Sequence, residues 1–191
     1  MTIIGFMGNA GSGKSCAAEY LVNNIPGTAE YSFATPLKKA CKELFLLSDT
    51  QLYGTQEQKE TGDPRWFGCS PRTMMQYLGT DLLRKQMSKI IPELGEGIFI
   101  HSARLWCDEY LSENHHLHIV ISDVRFQNEV DFIHEQGGIV IKINRDDRSS
   151  NGADHISELS VNDIDDYDYM IDNNGTIIDY YKKIRDIISK I

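Results

Sequence analysis

Gly8-Asn9-Ala10-Gly11-Ser12-Gly13-Lys14-Ser15 follows the pattern G-x-x-x-x-G-K-[ST] and stands between the apolar run Thr2 to Met7 and a helical spacing of Cys16, Ala17, Tyr20, Leu21 and Ile25. A buried strand, a glycine-rich turn and a helix in that order are how an open α/β sheet begins. The glycines let backbone N–H groups converge on an anion, the lysine adds a point charge, and the serine hydroxyl can enter a Mg²⁺ shell. The helix that starts there turns its positive dipole end to the same place. Two fixed glycines, a lysine and a serine or threonine recur by chance in about one chain in a hundred of this size. The expectation is a nucleoside triphosphate site: Asn9, Ala10, Gly11, Ser12, Gly13, Lys14 and Ser15 hold the phosphates, with Ser15 on the metal.

The rest of the chain limits what that site can serve. With 191 residues it is long enough to bury about 70% of its unfolded surface as one domain. The formal charge of −9 disfavours a nucleic acid or an anionic membrane as partner, so any anionic ligand has to meet locally grouped Lys and Arg. Cys16, Cys41, Cys69 and Cys107 are widely spaced with no C-x-x-C, which reads as reduced thiols in the cytoplasm. No apolar run approaches about 18 residues, and the start lacks a basic stretch followed by a cleavable apolar one. A soluble, untargeted protein is the expectation.

Five apolar runs read as strands: Thr2 to Met7, Glu30 to Phe33, His118 to Ser122, Ile139 to Asn144 and Tyr169 to Ile171. Helical patterns lie between them, and the third and fourth runs are apolar on both faces, so a parallel sheet covered on both sides is expected. A helix over Phe126 to Gln136 stops at Gly137-Gly138. A last helix from Thr176 carries Ile177, Ile178, Tyr181, Ile184 and Ile188 as its predicted core stripe. Between the second and third runs, residues 35–116 hold no convincing strand and read as a helical insertion. Ser70-Pro71 starts a helix there, on which Met74, Met75, Leu78, Leu82 and Met87 follow helical spacing as packing residues. Gly62-Asp63-Pro64 marks a loop, Glu57 to Glu60 a solvated face, and Asp163 to Asp172 an exposed approach to the last strand.

Asp123 follows the third apolar run, at the carboxyl end of a strand, where open α/β sheets bind ligands. It is the carboxylate best placed for magnesium; capping the next helix is the competing role. Arg125 would face the same crevice and suits a bidentate grip on phosphate oxygens, although pairing with Glu129 at i+4 is an alternative. His115-His116-Leu117-His118 has no cysteine or carboxylate at ligand spacing beside it and is not read as a metal site.

The strings GNAGSGKS, SFATPLKKACKELF from Ser32, SPRTMMQYLGTDLLR from Ser70, ISDVRFQNEV from Ile121, HISE from His155 and DNNGT from Asp172 together resemble a viral or bacteriophage-type deoxynucleoside monophosphate kinase. The likeness spans nearly the whole chain, and the phosphate loop and D-V-R-F-x-N-E are its most specific parts. It implies a P-loop NTPase fold with a five-stranded parallel sheet in the order 2-3-1-4-5, a helical monophosphate-binding insertion at 35–116 and a short lid at 145–157. It implies transfer of the ATP γ-phosphoryl group, with Mg²⁺, to a deoxynucleoside 5′-monophosphate. Such chemistry asks for positioning and positive charge; the attacking phosphate oxygen is already ionised and needs no general base. The cations fall in three places: Lys14 in the loop; Lys38, Arg72 and Arg84 in the insertion; Arg145 and Arg148 on the polar loop Asn144 to Gly152. By the resemblance, Arg72 grips the monophosphate, Gln76 meets the edge of its base, and Arg125, Arg145 and Arg148 act on the transferring group. Each arginine taken singly has a surface reading of equal weight. His155 to Glu158 either supports the lid or caps a helix. Asn174, in Asn173-Asn174-Gly175-Thr176, would sit beside adenine, although the string is also a sound turn and helix start. Trp106 and Tyr77 could stack on a base or simply pack. Members of such a family are often dimers, which makes a homodimer an expectation, and a viral chain would work in its host's cytoplasm.

Asn144-Arg145-Asp146-Asp147 imitates the guanine-reading N-K-x-D, but Arg145 replaces the lysine, and Phe126 stands where a regulatory GTPase has glycine. A motor or DNA-linked ATPase would need more chain and a basic track. Dephospho-coenzyme A kinase, or another small-metabolite kinase, shares the loop, insertion and lid, and stays as the alternative.

Overall fold

β1 (Ile3–Met7) is the central strand of a five-stranded parallel sheet in a computed structural model that describes residues 2–113, 118–146, 161 and 163–191. On either side of it run β3 (His118–Val124) and β4 (Ile139–Asn144), and the edges are β2 (Thr28–Tyr31) and β5 (Tyr169–Asp172), giving the expected order β2-β3-β1-β4-β5. Ile3, Ile4, Phe6 and Met7 are all buried, as a strand covered on both faces requires. The second strand is shifted two residues from its expected span. Thr28 and Ala29 pair with His118 and Ile119, whereas Phe33 leaves the sheet for the turn before the next helix.

The chain divides into two compact units, Met1–Ser32 with Cys107–Ile191, and Phe33–Trp106. In the first, α1 (Lys14–Asn24) and the last helix, α8 (Ile177–Ile188), pack Ala17, Ala18, Leu21, Tyr180, Ile184 and Ile187 against Ile4, Phe6, Val120, Ile141, Ile143 and Ile171 of the sheet. Fully burying a side chain of the Ile, Leu or Phe kind is worth about 1.5–3 kcal/mol, so this layer is a large contribution to the unit's stability. On the other face lies α7 (Gln127–Glu135), where a Cβ on Gly5 would collide with Ile133 Cδ1; the missing side chain is what lets the helix approach.

The stripe expected on α8 needs correction. Ile177 is 52% and Ile178 76% exposed, while the buried residues are Tyr180, Ile184 and Ile187, with Tyr181 and Ile188 packed beside them. Tyr181, Ile184 and Ile188 of the expected stripe pack inward, whereas Ile177 and Ile178 of the first turn do not, and Tyr180 and Ile187 complete the face. Tyr180 takes the inward place because its hydroxyl finds a carbonyl there, which removes the cost of burying it.

The second unit comprises α2 (Thr35–Phe45), α3 (Asp49–Tyr53), α4 (Gln56–Glu60), α5 (Pro71–Gln76), a π-helical segment over Tyr77–Arg84 and three short 3₁₀ turns; α6 (Ile98–Glu113) comes next in the chain. No strand occurs among its described residues beyond a single bridge between Asp63 and Cys69. Ser48 and Thr55 form capping boxes with Gln51 and Gln58, and Ser70 Oγ accepts the Thr73 amide with Pro71 in the first turn, as expected. Cys41, Leu47, Leu52 and Met74 form the small core, with Leu37, Met75 and Leu78 against it. Burial pushes the Cys41 thiol up to about 11, so it stays protonated. The helical spacing expected through Met87 fails at Leu82, which is 54% exposed. The π-helical segment is the reason: its i→i+5 bonds widen the turn and move later residues off the α-helical face. Gly79, inside it, lets Leu37 pack close: a Cβ would lie 2.6 Å from Leu37 Cδ2, and the leucine would have to shift.

Asp63, in the expected loop, is buried. Its carboxylate accepts from Arg65 Nη2 (2.6 Å), Gln51 Nε2 (2.8 Å) and the Arg65 amide (2.9 Å). The Arg65 hydrogen bonds, then that from Gln51, hold the carboxyl well below its ordinary value. A depressed folded-state pKa contributes stability above the unfolded value and loses it as the pH falls below. Asp63→Asn should therefore melt several degrees below wild type at pH 7, and the gap should narrow below about pH 4; a gap constant from pH 7 to pH 3 would show that the charge contributes nothing.

Candidate active site

The loop leaves β1 at Met7 and returns as α1 at Lys14. Gly8 (φ 153°), Gly11 (φ 76°) and Gly13 (φ 111°) occupy backbone regions that side chains rarely adopt, and a Cβ on Gly8 would collide with the Ile143 carbonyl. Lys14 is 8% exposed, and its Nζ donates to the Gly8 and Asn9 carbonyl oxygens, each at 2.7 Å. The ammonium is thus held inside the curl of the loop. Ser15 is exposed on the first turn of α1, and Asn9 and Gly11 are exposed on the loop.

Asp123 lies within β3, one residue before its end, and not beyond it as expected. Gly5 is level with Ile121 but Met7 with Val124, so β3 holds one extra residue opposite the end of β1. Bulges of this kind bend a strand and re-aim side chains, here at Ser122-Asp123, beside the exit to the phosphate loop. Ser32, which follows β2, donates its hydroxyl to Asp123 Oδ2 at 2.7 Å. Glu129, 1% exposed, caps α7 by accepting from the Arg125 amide (2.7 Å) and the Phe126 amide (3.2 Å). The cap on α7 therefore comes from Glu129. Arg125, between Asp123 and Glu129 in the chain, is half-buried.

The carboxyl ends of β4 and β5 complete the edge of this unit. Asn173 donates Nδ2 to the Ser12 carbonyl (2.8 Å), the Tyr180 hydroxyl donates to the Gly13 carbonyl (3.0 Å), and Arg145 Nη1 lies 3.3 Å from the Gly11 carbonyl. Asn174 Oδ1 accepts the Asp146 amide at 2.8 Å, tying the exits of β4 and β5 together. Arg148 and the string His155 to Glu158 lie outside the described residues, as do His115, His116 and most of the expected lid. Among the described residues, no group of three or more His, Cys, Asp or Glu has metal-binding geometry.

In the second unit, Arg72 and Gln76 lie four residues apart on α5, on one face. Arg72 Nε is 3.2 Å from Glu60 Oε1 of α4. Lys38 Nζ stands 4.5 Å from the Tyr53 ring centroid, and Arg84 is buried with its guanidinium 5.0 Å from the Phe99 ring. Tyr77 is exposed and Trp106 half-buried.

Ser32, Asn173 and Tyr180 were not singled out from the sequence. Asn173 stands in an Asn-Asn pair whose other member attracted the adenine reading, and nothing in the order of residues tells which asparagine turns toward the loop. Tyr180 was hidden by its aliphatic neighbours.

A central strand, a G-x-x-x-x-G-K-S loop wrapped round its lysine, and a carboxylate at the end of the adjacent strand define a nucleoside triphosphate-binding α/β protein. Solved structures with this fold include TT1252 from Thermus thermophilus (15% identical, TM-score 0.53, covering all of this chain and 97% of that one). Dephospho-CoA kinase from Campylobacter jejuni is also similar (17% identical, TM-score 0.53, 98% of this chain and 96% of that one). Residues 61–184 match the model of the family described as deoxynucleotide monophosphate kinase. A protein of Acanthamoeba polyphaga mimivirus described as a "Putative deoxynucleotide monophosphate kinase" is 56% identical over 184 residues, covering 96% of this chain and 94% of that one. The chain belongs to the deoxynucleotide monophosphate kinase family and is a phosphotransferase.

Proposed function

We propose that the protein transfers the γ-phosphoryl group of ATP to deoxynucleoside 5′-monophosphates, giving the diphosphate and ADP. A phosphate oxygen of the acceptor forms the new bond to phosphorus as the bond to the bridging oxygen of ADP breaks. The observation that carries this reading is the 56% identity that runs over 96% of the chain, loop and insertion alike. The donor side fits the geometry: positive-φ glycines make room for phosphate, and Lys14 brings a charge that can leave the loop carbonyls for phosphate oxygens. Ser15 and Asp123 offer a hydroxyl and a carboxylate, hard oxygen donors suited to Mg²⁺. The metal, when bound, neutralises charge on the donor phosphates.

In this reading Asn9 to Ser15 hold the donor phosphates, Asn174 lies beside adenine, and Arg125, Arg145 and Arg148 balance charge on the transferring group. Asp123, steadied by Ser32, orients the metal's ligands. Arg72 grips the acceptor phosphate, Gln76 meets its base, and Lys38 and Arg84 add positive charge to the insertion. The likeness to dephospho-CoA kinase, at 17% identity, extends to the fold alone. A cytoplasmic enzyme fits the reading, and among the described residues no helix is long and apolar enough to cross a membrane. A homodimer is consistent with it.

The direct test is ADP release with ATP and Mg²⁺ against each deoxynucleoside monophosphate, each ribonucleotide and dephospho-coenzyme A. At least one deoxynucleotide should exceed dephospho-coenzyme A by tenfold or more in kcat/KM. No turnover with any deoxynucleotide would refute the reading.

A further inference from the structure

Three successive carbonyl groups of the phosphate loop, those of Gly11, Ser12 and Gly13, each accept a side-chain donor from residues that follow β4 or β5: Arg145, Asn173 and Tyr180 in turn. No peptide in the described chain is cis, and a planar trans peptide sets the carbonyl of one residue opposite the N–H of the next. Drawing these carbonyls toward the β4–β5 side therefore turns the amides of Ser12, Gly13 and Lys14 the other way. The Ser12 amide is used within the loop, on the Asn9 carbonyl at 3.2 Å. The peptides whose direction Asn173 and Tyr180 set are those that carry the Gly13 and Lys14 amides, at the N-terminus of α1.

Asn173 is well anchored for this task. Its own amide donates to the Asn144 carbonyl at 2.7 Å, which fixes its backbone to the end of β4. Gly13 accommodates it: a Cβ there would lie 2.6 Å from Asn173 Nδ2 and 3.3 Å from the Tyr180 hydroxyl. The second glycine of the motif thus makes room for these side chains as well as for its φ of 111°. Tyr180 is 2% exposed, and burial pushes its phenol well above the ordinary value, so the hydroxyl stays a donor throughout the working pH range. The Gly13 carbonyl also accepts the Ala17 amide at 3.0 Å, so this one peptide links the helix, the loop and α8.

We infer that Asn173, with Tyr180 beside it, is a positioning residue for the donor phosphates, holding the Ser12–Gly13 and Gly13–Lys14 peptides so that their amides face the anion before it arrives. Side chains fixed to a sheet hold such geometry better than a glycine loop can by itself. The inference rests on the reading of the loop as the donor site. It separates Asn173 from its neighbour Asn174, to which the adenine contact was assigned: the two asparagines serve opposite ends of the same nucleotide.

The test uses full-length protein and two ligands, Mg²⁺-ATP and Mg²⁺-tripolyphosphate, the second having phosphates but no base. Asn173→Ala should weaken both by about five- to tenfold, the scale of a lost hydrogen bond that fixes a binding group. Tyr180→Phe, which keeps the buried ring, should weaken both by about threefold. In both variants the KM for the monophosphate should stay within twofold of wild type, which general disruption of the fold would not allow. Weakened ATP with unchanged tripolyphosphate would make Asn173 a base contact and overturn the inference. Unchanged affinity for both ligands would overturn it too. If Asn173→Ala does not fold, Tyr180→Phe decides by the same criteria. Wild-type protein that binds neither ligand would instead refute the donor site itself.

Discussion

Lys14→Ala should lower kcat by about a thousandfold or more and leave the fold in place. A thousandfold is about 4 kcal/mol of transition-state stabilisation, the scale found when a preorganised donor to developing charge is removed from a water-poor site. Lys14 has the means to supply it. The residue is 8% exposed and its ammonium is held at 2.7 Å from two loop carbonyls, so under the proposed reading it waits within the phosphate loop and has only to exchange those carbonyls for phosphate oxygens. The stability cost of its removal should be smaller. Two carbonyl acceptors lose a partner, that of Gly8 buried and that of Asn9 partly so, at a cost of about 1–3 kcal/mol. The melting temperature should therefore fall by several degrees, with near-ultraviolet circular dichroism unchanged. A variant with kcat within tenfold of wild type would remove Lys14 from the chemistry, because a cation used only to bind ATP would raise KM and spare turnover.

The parts of this protein legible in its sequence are those set by local periodicity and by backbone demands. The apolar run Thr2 to Met7 read as a buried strand, as Ile3–Met7 is, and only glycine suits Gly8, Gly11 and Gly13 at their φ angles. Ser70-Pro71 marked a helix start because cap and proline act within one turn. What escaped depended on partners far along the chain. The two-residue shift of β2 follows from its register with β3, and the extra residue at Ser122-Asp123 from the register of β3 with β1. No local pattern records either. Tyr180 stands next to Tyr181 in the sequence, and only an acceptor far along the chain, the Gly13 carbonyl 3.0 Å from its hydroxyl, makes its burial cheap. The π-helical segment over Tyr77–Arg84 shows a similar limit. Its residues have ordinary helical spacing, and nothing in their order records the wider turn.

The acceptor side is tested most sharply by Arg72→Ala, for which the KM of the monophosphate should rise about 30- to 100-fold while the KM of ATP stays within twofold. The size follows from the chemistry of the pair: a charge-assisted hydrogen bond from guanidinium to phosphate contributes about 1.5–3 kcal/mol, and the planar fork of arginine can make two. Two features of α4 and α5 push the effect toward the upper end. Glu60 stands 3.2 Å from Arg72 Nε, so the guanidinium is restrained before substrate binds and loses less rotamer freedom on binding. Once the arginine is gone, Glu60 keeps its hydrogen bond from Gln56 Nε2 (3.1 Å) but no neutralising cation, and under the proposed reading its repulsion of the acceptor phosphate adds to the lost attraction. Arg72→Lys should recover part of the affinity, since it restores a positive charge opposite Glu60 without the fork. Where Arg72 also follows charge onto the transferring group, kcat falls together with the rise in KM. Equal rises in the KM of ATP and of the monophosphate would take Arg72 out of the acceptor site. In that case Glu60 and Arg72 would be no more than a surface pair joining two short helices, a contact worth about 0–1 kcal/mol to the fold.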